Sequence, residues 1–286
     1  MLTRIITGVI GIIIAVGIIT KGGILFSAAV LFLAAVGWYE LHNMAAQKGY
    51  NVYYLTSGLG TLLTVGVAAL GYYSGVDPLF LLAFSTMFVT LFFIFNALEG
   101  LVRHCRSGEA NWVGSTSLSI WGMVYCGILF AHVIILRGLP GFPVDLGFTV
   151  MEFGEALLWT VLLGTWASDT VAYFFGSAFG KRPFCSVSPK KSLEGAAAGF
   201  VGCTAVVSWL ASSYLHLPTW KAVVLALGIA FFAPLGDLIE SIIKRSFDIK
   251  DSGKIFPGHG GVLDRFDSLL FAAPITYYLL VFLSCF

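Results

Sequence analysis

The chain has 286 residues, 58% hydrophobic and only 11% charged, with a mean hydropathy of +0.91. Soluble domains carry about 25% charged residues, so this chain cannot cover a water-facing surface, and 15% aromatics exclude disorder. A net charge of +1 excludes a generally basic nucleic-acid binder.

A bilayer-spanning helix needs about 20 mainly apolar residues. Hydropathy predicts nine spans: 5–20, 24–41, 54–72, 79–98, 118–136, 156–179, 196–215, 222–243 and 268–286. The expected fold is therefore all-α, a polytopic integral membrane protein of about nine helices. The first span follows Arg4, as a signal peptide would, but runs on without an A-x-A cleavage site, so a retained span is expected. Only Lys21-Gly22-Gly23 separates the first two spans, which predicts a tight helical hairpin. Five cysteines without CxxC spacing read as small apolar residues rather than as a disulfide framework or a zinc site.

Alternating the two sides from the N-terminus divides the 16 Lys and Arg residues 13 against 3. Lys21, Arg137 and Lys221 form the minority. By the positive-inside rule the N-terminus is cytoplasmic, and an odd span count places Phe286 outside. Nine of the 13 lie between Lys181 and Arg265, in two polar loops, 180–195 and 244–267. Residues 1–155 therefore read as a scaffold of about five helices with no local constellation, and 156–286 as the catalytic region. No internal repeat supports an inverted-repeat transporter.

The sixth span carries Asp169 within Trp166-Ala-Ser-Asp-Thr-Val-Ala-Tyr173. A mid-span carboxylate is costly and should face a partner or a wet cavity; the plainer reading is a packing carboxyl. Gly176 and Gly180 form a GxxxG pair, read as helix packing. Next comes the basic loop with Ser188, Lys190, Lys191 and Ser192, followed by the expected N-terminal turn of the next helix. Ammonium groups, hydroxyls and helix-end N–H groups suit a polyphosphate, although a basic loop can be a topology signal alone.

The densest stretch runs from Pro234 to Asp267. Asp237, Glu240, Ser241 and Lys244 share one helix face. Arg245, Lys250, the Pro-Gly-His259-Gly-Gly turn, Asp264, Arg265 and Asp267 follow. Aligned carboxylates with lysines and a glycine-rich turn point to a divalent cation plus phosphate. The alternative is mutual ion pairing at a wet membrane surface, and His259 reads equally as geometry support or phosphate contact.

These residues resemble the phosphatidate cytidylyltransferase, or CDP-diacylglycerol synthase, family. Ser241, Lys244, Arg245, Lys250, Asp251, Gly253, Phe256, Pro257, His259, Gly260, Gly261, Asp264, Arg265 and Asp267 meet its pattern without a gap over 27 residues. Ser188-Pro-Lys-Lys-Ser192-Leu-Glu-Gly resembles a second element, with Ser192 where threonine is usual. The resemblance implies CTP + phosphatidate → CDP-diacylglycerol + pyrophosphate in the cell membrane, with Mg²⁺ and room for a second cation. It implies Asp237 and Asp264 as metal ligands with Asp267 close by, and Ser188, Lys190 and Lys191 as nucleotide-phosphate or structural contacts.

Bottom-up chemistry and resemblance converge on in-line nucleotidyl transfer. Asp237, Asp264, Lys244 and Arg265 would be catalytic; Ser188, Lys190, Lys191, Ser192, Arg245, Lys250, His259 and Asp169 would meet substrate. The site would face the cytoplasm, with CTP arriving from water and phosphatidate from the bilayer. Membrane lipids are the remaining expected partners, with a homodimer allowed and nucleic acid excluded. Asp237 and Asp264 are expected to share one cation, with Asp169 facing the same polar cavity. Two rivals remain at this point: a CTP-dependent lipid kinase or different phospholipid substrate, and a cation-coupled transporter with Asp169 and Asp237 as ion sites.

Overall fold

The computed structural model describes residues 2–74, 78–185, 188 and 191–284. Lys190, Cys285 and Phe286 lie outside the described residues, and with them the expected exit of the chain at Phe286. The described chain forms α1 (Leu2–Lys21), α2 (Gly23–Gln47), α3 (Tyr54–Ser74), α4 (Pro78–Ser107), α5 (Trp112–Arg137), α6 (Phe153–Phe179), α7 (Leu193–Ser213), α8 (Thr219–Ser246) and α9 (Leu263–Ser284). Each coincides with one predicted span. A π turn at Val124–Ile128 interrupts α5. Gly22 and Gly23 take φ of 59° and 58°, which lets α1 and α2 follow each other with no loop. The departure from all-helix is a two-residue antiparallel pair, β1 (Val144–Asp145) with β2 (Val150–Met151), closed by Gly147 at φ 83°.

Helices α2 to α5 and α7 to α9 are long and apolar enough to cross a membrane, and α1 offers a shorter apolar stretch. Asp169, Glu155 and several Thr, Ser and Gly residues dilute α6. The outward residues are apolar: Ile13, Leu55, Leu70, Phe174 and Val201 are all exposed. A helix with apolar residues turned outward and its backbone bonded internally is matched to lipid rather than water. The protein is an all-α polytopic membrane protein.

By packing, the chain falls into two compact units: Met1–Ile135 with Ser246–Arg265, and Leu136–Arg245 with Phe266–Phe286. This division differs from the sequence boundary at 155, because the polar stretch after α8 folds with the N-terminal helices. Within the first unit, close approaches fall at small residues, with Gly60 against Met123 and Phe92 and Gly127 against the Thr61 backbone. One buried polar cluster there is bonded internally: the His42 ring lies 2.9 Å from Ser57 Oγ, which also accepts from Trp38 Nε1 at 3.0 Å.

In the second unit α6 and α7 pack through small residues, Gly199 against Ser168 and Ala172, and Gly195 against Gly176. Gly180 abuts Ser192, so the GxxxG pair is a packing device, as expected. Cys203 is buried in the same layer. The buried Arg137 pairs with Glu152 at 2.5 Å and Glu155 at 3.7 Å. A cavity of about 270 Å³, lined by Leu139, Phe153, Lys221, Tyr277 and Leu283 among others, lies toward the start of α8 and holds none of the expected site residues.

Candidate active site

The second unit gathers acidic and basic side chains at the C-terminal end of α8. Lys191 pairs with Asp237 Oδ2. One turn further on, Lys244 Nζ lies 2.5 Å from Glu240 Oε2, with both side chains largely withdrawn from solvent. Gly236 lets α9 approach so closely that a Cβ there would collide with the Asp267 carbonyl oxygen. Asp237 and Asp267 are thereby fixed on adjoining helices. Asp169 and Asp267 both bear electrostatically on Lys191. Burial lowers the Lys191 ammonium from its ordinary range, and the Asp169 and Asp267 carboxylates oppose that shift. Asp169 is exposed on α6 and bears on the charge of Lys191.

Described residues on the two sides of the loop between α6 and α7 pair through their backbones. Phe184 N donates to Lys191 O at 2.7 Å and Leu193 N to Arg182 O at 2.9 Å. Ser188 sits inside it, its carbonyl accepting from Lys191 N at 3.0 Å. Ser192 is the N-cap of α7, its Oγ accepting from Gly195 N at 3.1 Å. Glu194 reaches back to the Lys181 and Arg182 amides at 3.1 and 3.3 Å. Ser192 is therefore architectural, fixing the start of α7 and with it the position of Lys191.

The first unit contains the glycine-rich turn. Asp264 Oδ2 accepts from Ser252 N and Gly261 N, each at 2.8 Å. Next to it lies Glu40 of α2, buried. Its Oε1 accepts from Val262 N at 2.9 Å and its Oε2 from Leu263 N at 3.1 Å. Three successive amides, 261 to 263, thus hold two carboxylates at the start of α9. Ser252 Oγ stands 2.9 Å from Glu40 Oε2 and 3.0 Å from Asp264 Oδ2. A Cβ at Gly253 or Gly261 would run into Glu40, so both positions require glycine. Gly258 and Gly260, at φ 77° and 87°, close the turn. Arg265 Nε donates to His259 O at 2.7 Å, and the His259 ring lies beside Gly8 with its buried Nδ1 unpartnered. Lys250 is exposed, as is Arg245 at the end of α8.

The sequence reading missed Glu40, having taken the first 155 residues as wall. An ionisable residue within an apolar span was the available signal. At the start of α9 the protein's own carboxylates fill the helix-end amides, and at α7, where the sequence suggests such amides for a polyphosphate, Ser192 takes the Gly195 amide. Of the two residues expected to share a cation, Asp237 belongs to the second unit and Asp264 to the first. Among the described residues no group of three or more His, Cys, Asp or Glu is arranged to hold a metal ion. The donor chemistry nonetheless fits a hard cation of the Mg²⁺ type, which uses one or two carboxylates and completes its shell with substrate phosphates. The Lys191 ammonium on Asp237 marks a carboxylate already paired with positive charge.

A membrane-embedded helical fold here carries ammonium groups and carboxylates beside a basic loop, the charges that phosphoryl chemistry uses. The chain matches the model of the "Cytidylyltransferase family" over residues 2–283 and belongs to that family; it is a nucleotidyltransferase. Among its relatives, phosphatidate cytidylyltransferase of Bacillus subtilis is 34% identical over 202 residues, 70% of either chain. The Synechocystis enzyme of the same name is 37% identical over 188 residues, 60% of this chain and 64% of that one. Phosphatidate cytidylyltransferase 5, chloroplastic, of Arabidopsis thaliana is 41% identical over 177 residues, 56% of this chain and 44% of the relative.

Proposed function

We propose that this protein transfers the cytidylyl group of CTP to phosphatidate, giving CDP-diacylglycerol and pyrophosphate for phospholipid synthesis. The observation that carries the reading is the second-unit cluster, where Lys191, Lys244, Asp237 and Asp267 meet, in a chain that belongs to the cytidylyltransferase family from end to end. A phosphatidate oxygen, already anionic near neutral pH, attacks the α-phosphorus of CTP, and the bond to the pyrophosphate oxygen breaks in line. No general base is required. The barrier lies in bringing two polyanions together and stabilising charge on the leaving group.

Lys191 and Lys244 supply cationic charge from within the cluster, and Lys190, Arg245, Lys250 and Arg265 add further positive charge for phosphate. Asp237 and Asp267 would hold Mg²⁺, while Asp264, with one oxygen committed to loop amides, shapes the glycine turn. Bound there, the cation would neutralise phosphate charge and align the attacking and leaving oxygens. Ser192, as cap, sets where Lys191 stands. Asp169 confines the cluster on the α6 side. The cytoplasmic orientation follows from the basic-residue asymmetry, in a cell membrane.

The test is purified protein with radiolabelled CTP, phosphatidate and Mg²⁺ in detergent. Labelled CDP-diacylglycerol with stoichiometric pyrophosphate supports the reading. Release of labelled CDP would instead make the protein a lipid kinase, and flux into sealed vesicles without CTP consumption a transporter.

A further inference from the structure

We infer that Glu40 is a positioning residue for the reaction, acting through the turn 252–264; the inference deepens the proposed function and rests on it. Glu40 reaches the turn from α2, more than 200 positions away in sequence. Its carboxylate accepts from two consecutive amides, Val262 and Leu263, and adjoins the Ser252 hydroxyl. It thus performs from a distance what an N-cap residue does locally, and it sets negative charge at the positive end of the α9 dipole. The preceding amide, Gly261, serves Asp264.

The two carboxylates are coupled through one group. Ser252 has a single hydroxyl proton and stands within hydrogen-bonding distance of both, while its amide is committed to Asp264. Asp264 therefore cannot shift without moving Ser252, nor Ser252 without disturbing Glu40. Gly253 and Gly261 lie so close to the same carboxylate that a Cβ at either would collide with it. Asp264 and the neighbouring Arg265 and His259 inherit their positions from this lock, because Arg265 bonds the His259 carbonyl of the same turn. Glu40 itself needs no contact with substrate.

Glu40→Gln tests the idea with little change of volume. An amide can accept at one oxygen only, and its NH₂ would face a backbone N–H that needs an acceptor. The full-length variant in detergent should show faster hydrogen exchange at residues 252–263 while the middle of α9 exchanges as before. Its kcat at saturating CTP and phosphatidate should fall about ten- to a hundredfold, the scale of a lost charged hydrogen bond, with a smaller change in KM for CTP. Ser252→Ala should give the same exchange pattern in milder form, and the double variant should be less impaired than the product of the two effects. Faster exchange with kcat unchanged would reduce Glu40 to a stability cap and overturn the inference, as would unchanged exchange. Exchange is measured without substrate. A wild-type protein that makes no CDP-diacylglycerol would therefore defeat the functional reading separately from the lock.

Discussion

Lys244 offers the sharpest separation of structural from chemical roles, because its partner Glu240 is almost fully buried. The pair is 2.5 Å apart, with side-chain exposures of 12% and 2%. At that separation the gross attraction is about 7 kcal/mol for an effective dielectric constant of about 20. Desolvation of both ions offsets much of it. Removing one partner of a buried pair costs about 3–5 kcal/mol, because the remaining charge is left uncompensated. Lys244→Met should therefore lower the folded-to-unfolded ratio by about two to nearly four orders of magnitude and also lower CTP turnover. Glu240→Met combined with Lys244→Met removes the orphaned charge, and such apolar pairs are often neutral or stabilising. The double variant should melt near the wild-type temperature in detergent while its turnover stays low, since the ammonium proposed to meet phosphate is still missing. Recovery of both stability and turnover would show that Lys244 serves only Glu240. A single variant as stable as wild type would refute the buried-pair energetics.

Asp237→Asn should raise the Mg²⁺ concentration needed for half-maximal turnover several-fold, with excess Mg²⁺ restoring activity in part; an unchanged Mg²⁺ titration would remove Asp237 from the metal site. Asp264→Asn removes the charge that the Ser252 and Gly261 amides meet, so turnover should fall and residues 252–263 should exchange faster while the protein still inserts and runs as a monodisperse species by size exclusion; wild-type turnover and exchange would show that the turn does not depend on that charge. Gly261→Ala drives a methyl group toward Glu40 and Ser252, and overpacking of this kind costs about 1–3 kcal/mol; loss of activity with faster exchange at 252–263 is the expected pair of readings. Ser192→Ala removes the α7 cap at a cost of about 1 kcal/mol and should weaken CTP use through Lys191, whereas Ser192→Thr should retain it.

The helical framework was legible because lipid imposes one rule on every span: length and apolarity must match the bilayer core. Local chemistry was legible too. The helix start after the basic loop and the GxxxG contact follow from short-range pattern, and both hold; Ser192, expected among the substrate contacts, is the cap of α7. Long-range pairing was not legible. Nothing in the sequence near Glu40 shows that its acceptors are to be used at 252, 262 and 263, since that depends on how α2 meets the turn. The glycine turn shows the same limit. Its carboxylates and lysines point to a cation and phosphate, and only the packed structure shows that Asp264 there, with Glu40 from α2, accepts from the amides of the turn.

Glu40 and Asp264 on the one hand, and Asp237 and Glu240 on the other, are neutralised differently, and the difference bears on their roles. Glu40 and Asp264 accept from backbone amides, which cannot leave their places without unfolding the turn. Asp237 and Glu240 are paired with the ammonium groups of Lys191 and Lys244, each at the end of a flexible stem. An ammonium can exchange a carboxylate for a phosphate oxygen by rotating its stem, and the carboxylate it releases can take a metal ion instead. A backbone amide has no such freedom. Exchangeable charge therefore belongs where polyanionic substrates and a hard cation must enter and leave, and fixed charge where a turn must keep its shape through each cycle. On that ground we assign the proposed chemistry to Lys191, Asp237 and Lys244, and the shape of the turn to Glu40, Ser252 and Asp264.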